Sequence, residues 1–423
     1  MPASDPIALL LAGQYPDPET GALLACEPRA VAIEDTLDGR EVELVASVGD
    51  FPRLALIADV DTHAALGARV ERALASRHRV QAIVLGRRPH CDVETVARIA
   101  AQLEPCDAIV AVGSGTLNDL GKLVAMQRDV PQLVFGTAPS MNGYTSVSAS
   151  VAEGGVKRSV RARTPLGVFL DLGVLAAAPI GMIRAGLGDS VCRPTAQADW
   201  LLAHLLLDQP YREVPFALLA PEEPLLFGEA RALVHGDRAA MRALARTLVL
   251  SGFGMTLCGG SFPASQGEHL ISHYLEMMRP PEVTEALHGA QVGVAAIFVA
   301  WVQQSMLECE TVVVHAPVVS REEILQRYGR ERGDVLWRDF SAKQVAPEIL
   351  NARLAERWPE MRARIAAVAT TPSAIAAILD AAGAPTTPAT LGYPSALFEA
   401  AMFHAHELRD RYTFLDLAAN SAP

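Results

Sequence analysis

Three separated segments of the chain carry side chains that bind divalent cations. Asp189 stands in Ala185-Gly186-Leu187-Gly188-Asp189, read as a helix start whose glycines keep the carboxylate accessible. His269 and His273 are four residues apart in Glu268-His269-Leu270-Ile271-Ser272-His273, and His288 opens a long uncharged stretch at Leu287-His288-Gly289. Residues four apart on a helix share a face, so the first two histidines can look into one cavity. A zinc-like ion accepts imidazole nitrogen and carboxylate oxygen, and a catalytic site keeps one position open beside three protein ligands. One aspartate and two histidines meet that count. Taken singly, each histidine reads more readily as a capping or surface group. The glutamate of an H-E-x-x-H peptidase is missing between His269 and His273, which disfavours peptide hydrolysis.

A second chemical signal lies at Gly113-Ser114-Gly115-Thr116. The apolar run Ala108–Val112 leads directly into it, and a helical stretch with Asn118, Asp119, Gly121 and Lys122 follows. Strand, glycine turn and helix start make an anion site, because glycines admit a phosphate to the backbone and the helix N-terminus favours negative charge. A Walker loop does not fit: five residues separate Gly115 from Gly121, and Leu123 stands where Mg²⁺ binding needs Ser or Thr. The dinucleotide pattern is incomplete, with Asn118 in the place of the third glycine and the loop following the third strand instead of the first. On motif alone, an ordinary tight turn is an equal reading.

Several stretches together resemble the bacterial sn-glycerol-1-phosphate dehydrogenases of the iron-containing alcohol dehydrogenase and dehydroquinate synthase-like superfamily. They are DAIVAVGSGTLNDLGKLVAMQRDVPQLVFGTAPSMNGY from 107, AGLGDSVCRPTAQADW from 185, SQGEHLISHYLEM from 265, LHGAQVGVAAI from 287 and RDRYTFLDLA from 409. The resemblance implies that Asp189, His269 and His288 are metal ligands and that His273 supports them or transfers a proton. It implies coenzyme contacts at Gly113, Ser114, Gly115, Thr116 and Asp119, and along a second segment at Thr137, Ser140 and Ser146. Two positions depart from the family pattern: Asn142 stands where relatives usually carry Asp, and Arg193 where bacterial relatives often carry Lys. Asn142 is therefore placed at the catalytic and substrate site, and Arg193 keeps a cation suited to phosphate.

The implied reaction is reduction of dihydroxyacetone phosphate to sn-glycerol 1-phosphate by NAD(H) or NADP(H), with Lewis-acid help from one divalent metal. Zinc suits a His₂Asp set best, with nickel or iron as alternatives. Lys157, Arg158 and Arg193 are the cations available for substrate phosphate. Asp59, just after the strand Leu54–Ala58, is placed to bind a ribose and repel a 2′-phosphate, which favours NAD(H). A dehydrogenase of glycerol or another polyol would share the metal and coenzyme residues without needing a cationic pocket. A non-catalytic binding protein of the same fold is the alternative of another class.

These residues need a scaffold, and apolar patterning supplies one. Between Phe51 and Thr137 short apolar runs at Leu54–Ala58, Gln81–Leu85, Ala108–Val112 and Leu133–Phe135 alternate with longer amphipathic stretches at Thr62–Ser76 and Val93–Leu103. That is a βαβ rhythm, implying an α/β fold with a Rossmann-like parallel sheet and a ligand site at the carboxyl ends of its strands. A β-ribbon follows over 149–163, then a last strand at Val168–Leu170. Beyond residue 176 the spacing is helical throughout. The expected organisation is an N-terminal α/β NAD(P)-binding domain over 1–175 and an all-helical metal- and substrate-binding domain over 176–423, with a cleft between them.

Composition limits the partners. At 423 residues, half of them apolar, the chain is long enough for two cores. Its formal net charge of −12 works against nucleic acid as a partner. The six cysteines form no C-x-x-C pair, and the first residues carry Asp5 instead of a basic leader, so the expected location is the cytoplasm. Gly289–Leu307 is uncharged over about nineteen residues. Gln291, Gln303 and Gln304 interrupt it and no basic anchor flanks it, so it reads as a buried helix and not a membrane span. Long apolar helices leave room for a homo-oligomer.

Overall fold

The structure is a computed structural model that describes residues 5–153 and 156–421, without the side chains of 153 and 156–158. Among the described residues, ten strands lie in the first half; two short ones, Tyr15–Pro16 and Leu23–Leu24, pair with each other, and the other eight carry the architecture. They are β1 (Ala30–Glu34), β2 (Arg53–Asp59), β3 (Arg79–Leu85), β4 (Ala108–Gly113), β5 (Gln132–Gly136), β6 (Ser148–Glu153), β7 (Val156–Arg161) and β8 (Gly167–Asp171). Six of them form one sheet in the order β1-β8-β5-β4-β2-β3, and every pairing is parallel. The remaining two, β6 and β7, form the expected antiparallel ribbon.

The central strands are continuous apolar runs because both faces of the sheet are covered. Side chains alternate between the faces. Leu54, Leu56 and Ala58 join Val45, Val70 and Leu74 on one side, while Ala55 and Ile57 join Ile99, Leu120 and Val124 on the other. From β2 the chain passes outward to β3, then crosses back to β4 on the opposite side of β2. Such a reversal opens a crevice at the carboxyl ends of the strands, where Asp59 and Gly113 lie. β1 was not legible in the sequence, because all five of its residues are half-buried at the sheet edge. The glycine loop consequently follows the fourth strand of the main sheet in chain order, not the third.

Six helices position the chemistry: α1 (Gly115–Arg128), α2 (Ile180–Val191), α3 (Arg193–Leu207), α4 (Arg238–Leu257), α5 (Gly267–Met278) and α6 (His288–Glu308). By contact the chain forms two compact units, one running to Ser190 together with Arg212–Ser261, the other Val191–Tyr211 together with residues from Phe262 onward. This division differs from a cut at 175/176. The reason is visible in α4, where Arg242 Nη1 donates to the Ile33 carbonyl at 2.6 Å and Nη2 meets Asp35 at 3.0 Å. Those bonds tie a late helix to β1.

The second unit is helical. Among the described residues no strand follows Asp171, apart from an isolated bridge between Val314 and Ser421. Its core gathers Leu202, Ile271, Leu275, Val299 and Val302 from α3, α5 and α6 with residues from later helices. Helix α6 is long and apolar enough to cross a membrane, yet Val292, Ala295, Val299 and Gln303 are buried inside the unit. It is a core helix.

Candidate active site

Helix α1 begins directly after β4, with Ser114 at its N-cap and no side chain capping it. Its first backbone N–H groups therefore have no partner from a capping side chain. Glycine is required at 113, because a Cβ there would run into the Cβ of Leu117, the side chain one turn into the helix. A Cβ at Gly115 would press on Met141. Asp119, expected at the coenzyme, accepts the Ser150 amide at 2.9 Å and so fixes the ribbon to α1. Lys122 is buried with its Nζ donating to the Gly143 and Ser148 carbonyls at 2.7 and 2.9 Å and to Ser146 Oγ at 3.0 Å. Burial pulls its pKa down to about 8, with Asp119 opposing.

The Ser146 hydroxyl is buried among Lys122 and the Gly143 and Ser148 carbonyls, so it braces the loop. Asp59 lies where expected, at the carboxyl end of β2, but its Oδ1 accepts the Thr62 amide at 2.7 Å in a capping box. It is a buried cap of the short helix that follows β2. Thr137 donates its amide to the Gly113 carbonyl at 3.1 Å, which holds the second coenzyme segment beside the glycine loop. Ser140 and Asn142 remain half-buried in that segment.

Asp189 lies in the last turn of α2, not at a helix start. A Cβ at Gly186 would collide with the Pro139 carbonyl oxygen, so this glycine lets α2 lie directly on the 139–142 segment. That approach lets the Asn142 amide donate to Asp189 Oδ2 at 3.0 Å. Asn142 thus contributes its backbone here, which any residue except proline can do at 142.

Helix α5 carries His269 and His273, and α6 opens on His288 as expected. The ring centroids lie 5.2 Å apart for His269 and His288, 6.3 Å for His269 and His273, and 6.0 Å for His273 and His288. Their partners fix the tautomers, since a carboxylate only accepts and a guanidinium only donates. His269 Nδ1 donates to Glu268 Oε1 at 2.9 Å. His288 Nδ1 donates to Glu276 Oε1 and Ser272 Oγ, both at 3.2 Å, and Ser272 passes its own proton to Gln291 Oε1. In both rings Nε2 is left as the nitrogen with a lone pair. His273 is reversed: its Nδ1 accepts from Arg409 Nη2 at 3.1 Å, so its proton sits on Nε2.

Glu268 is itself held by the Gln266 amide at 2.8 Å. Below it Asp199 accepts the Gly267 and Phe414 amides and Gln303 Nε2, at 2.9, 3.0 and 3.1 Å. Burial, with Glu268 as the second cause, raises Asp199 to about 7. Imidazoles whose Nδ1 protons are given to carboxylates are the usual arrangement behind metal-binding histidines. Asp189 belongs to the first unit and His269 and His288 to the second, and one carboxylate with two imidazoles is donor chemistry that fits a divalent cation. Within the second unit, donor atoms of Cys192, Glu268 and His269 lie within 4.8 Å of one another, but the Glu268 carboxylate is already engaged by His269 and Gln266.

Three cations were expected at the substrate phosphate. Arg193 opens α3 and places Nη1 on Gln197 Oε1 at 2.8 Å. Lys157 and Arg158 lie in β7, and their side chains fall outside the described residues. Sequence reasoning missed Glu268, Glu276, Asp199, Ser272 and Arg409. Glu268 adjoins His269, and Glu276 is three residues beyond His273, so carboxylates near each histidine were the available signal.

Residues 32–179 match the family described as iron-containing alcohol dehydrogenase. An alcohol dehydrogenase from Oenococcus oeni has the same fold, with a TM-score of 0.60 over 92% of this chain and 95% of that one at 13% identity. The sheet and the helical second half are the fold of the iron-containing alcohol dehydrogenases, and the matched segment falls on the sheet half. The glycerol-1-phosphate dehydrogenase [NAD(P)+] of Bacillus velezensis is 32% identical over 75% of this chain and 71% of its own. That of Geobacillus stearothermophilus is 30% identical over 91% and 92%. The chain belongs to the glycerol-1-phosphate dehydrogenase family.

Proposed function

We propose that the protein interconverts dihydroxyacetone phosphate and sn-glycerol 1-phosphate with NAD(P)H, using one divalent cation held by Asp189, His269 and His288. The observation that carries this reading is the pair of imidazoles 5.2 Å apart, each with Nδ1 committed to its own carboxylate. When bound, the cation supplies Lewis-acid polarisation of the substrate carbonyl and the nicotinamide supplies the hydride. Zinc fits two nitrogens and a carboxylate best, and nickel and iron fit the same donors.

The protein's own groups do the rest. The bare N-terminus of α1, with Gly113, Ser114, Gly115 and Thr116, takes the coenzyme pyrophosphate, and Thr137 and Ser140 flank the nicotinamide half. His273, with its proton on Nε2, supplies the proton that the reduced oxygen takes up. Arg193 adds positive charge for the substrate phosphate. A 1–175 coenzyme domain followed by a helical metal-binding domain, a cytoplasmic location and a homo-oligomeric state belong to the same reading. No cysteine forms a disulfide, as a reducing compartment requires, and Trp301 and Phe403 leave apolar surface on the helical unit.

The test is oxidation of NADH and NADPH by the metal-loaded protein with dihydroxyacetone phosphate and with dihydroxyacetone, and chiral analysis of the product. The expected result is a preference for the phosphorylated ketone of at least about a hundredfold in kcat/KM, abolished by a chelator and restored by a divalent ion. Equal use of both ketones, or turnover unaffected by metal removal, contradicts the proposal.

A further inference from the structure

The loop between the short 3₁₀ turn at Ala405–Glu407 and the helix Phe414–Asn420 carries Arg409 and Arg411. It is held firmly at its far end. Lys343 and Asp416 form a fully buried ion pair at 2.6 Å, Thr413 and Asp416 close a capping box, and the Phe414 amide donates to Asp199 Oδ1. Asp199 also receives the Gly267 amide at the start of α5. The arginine loop and the histidine helix are therefore pinned to the same buried carboxylate.

Arg409 has no ion pair among the described residues. One of its five N–H groups goes to His273 Nδ1, a neutral acceptor. Arg411 lies beside it, with its guanidinium 4.6 Å over the Phe262 ring and Nη1 donating to the Ser265 carbonyl. Burial lowers both guanidinium pKa values, and for Arg411 the charge of Arg409 is the next cause. Asp410, Asp339 and Glu276 oppose this for Arg409 from a distance. Guanidinium groups stay charged at neutral pH, so Arg409 places a positive charge and further N–H donors beside His273, where an incoming anion is stabilised. His273 separates Arg409 from His269 and His288 by one ring. In a triose phosphate, one carbon and the ester oxygen separate the carbonyl carbon from phosphorus.

We propose that Arg409, braced by Arg411, is the residue that recognises the phosphate of the substrate. This makes Arg409 the specificity determinant, ahead of Arg193, which spends Nη1 on Gln197. The inference rests on the triose phosphate reading above. It also assigns a task to the RDRYTFLDLA segment, which metal and coenzyme binding leave without one.

The experiment uses the metal-loaded enzyme and its Arg409→Gln, Arg409→Ala and Arg409→Lys variants. Kinetics with dihydroxyacetone phosphate and dihydroxyacetone are compared, and inorganic phosphate binding is measured by calorimetry without coenzyme. The Gln and Ala variants are expected to lower the preference for the phosphorylated ketone about a hundredfold, chiefly through KM, and to weaken phosphate binding by a similar factor. Lys is expected to recover part of both, because it restores charge without the planar fork. Equal losses on both ketones with phosphate binding unchanged would overturn the proposal and leave Arg409 as a positioning residue for His273. If the wild type does not reduce dihydroxyacetone phosphate, the proposed function fails, while phosphate calorimetry still decides the role of Arg409. Circular dichroism separates misfolded variants from informative ones, and the Gln variant keeps the length of the arginine stem.

Discussion

The glycine loop at the end of β4 and the histidine cluster on α5 and α6 are both prepared to meet charge, and they do it with opposite materials. The loop works through backbone: Gly113 and Gly115 give close approach, the N-terminus of α1 is bare, and the nearby cation Lys122 is bonded to carbonyls and Ser146. The cluster works through side chains, with a hydrogen-bond partner fixing the proton of each imidazole. A backbone site depends on shape and tolerates many side chains. A side-chain site depends on each partner, and its failures should be graded by distance from the donor atoms.

Substitutions can break or sharpen that contrast. The largest effect is expected from His269→Ala, which removes a proposed ligand and should lower both metal content and kcat by at least about a thousandfold. Mass spectrometry of bound metal and circular dichroism of the fold check it. Next, Glu276→Gln leaves His288 in place but weakens the acceptor of its Nδ1 proton, so metal affinity should fall about ten- to a hundredfold with the fold unchanged. Competition with a chelator reads that loss. Gly113→Ala acts on the backbone site by forcing the loop away from Leu117. Coenzyme KM should rise about tenfold while metal content stays at the wild-type value. A metal loss in Gly113→Ala, or a coenzyme defect in Glu276→Gln, would erase the distinction.

The smallest effect concerns pH. Asp199 is raised from 3.8 to about 7, so between those values the folded state holds a proton that the unfolded state has released. Its contribution to stability is complete at acid pH, declines as pH rises through that window, and is flat above it. Urea unfolding at several pH values should show this slope in the wild type and lose it in Asp199→Asn. A slope of the opposite sign would mean that the three donors around Asp199 outweigh its burial.

What the sequence disclosed follows the same contrast. Strands β2 and β4 were legible because burial on both faces makes them apolar throughout, and the glycine loop was legible because strand, glycine and helix start are consecutive. Strand β1 was not, since half-burial at an edge leaves a mixed pattern. Asp189 was read as a helix start whose glycines keep the carboxylate accessible, whereas it lies in the last turn of α2 and Gly186 is small to admit the Pro139 carbonyl. Asp59 and Ser146 were assigned by position, and hydrogen bonding gives them structural tasks. Glu268 and Glu276 were invisible as partners because only tertiary packing decides which carboxylate meets which ring. The same holds for Arg409, which reaches His273 from 136 residues away.

The central claim is that two carboxylate-braced imidazoles and Asp189 hold one divalent cation. Anomalous diffraction at the metal absorption edge, on crystals of the purified protein, tests it most directly. The account predicts one peak about 2.0–2.2 Å from Nε2 of His269, Nε2 of His288 and a carboxylate oxygen of Asp189. A peak bound by Cys192 and Glu268 instead, or metal-replete crystals with no peak at these atoms, would contradict it.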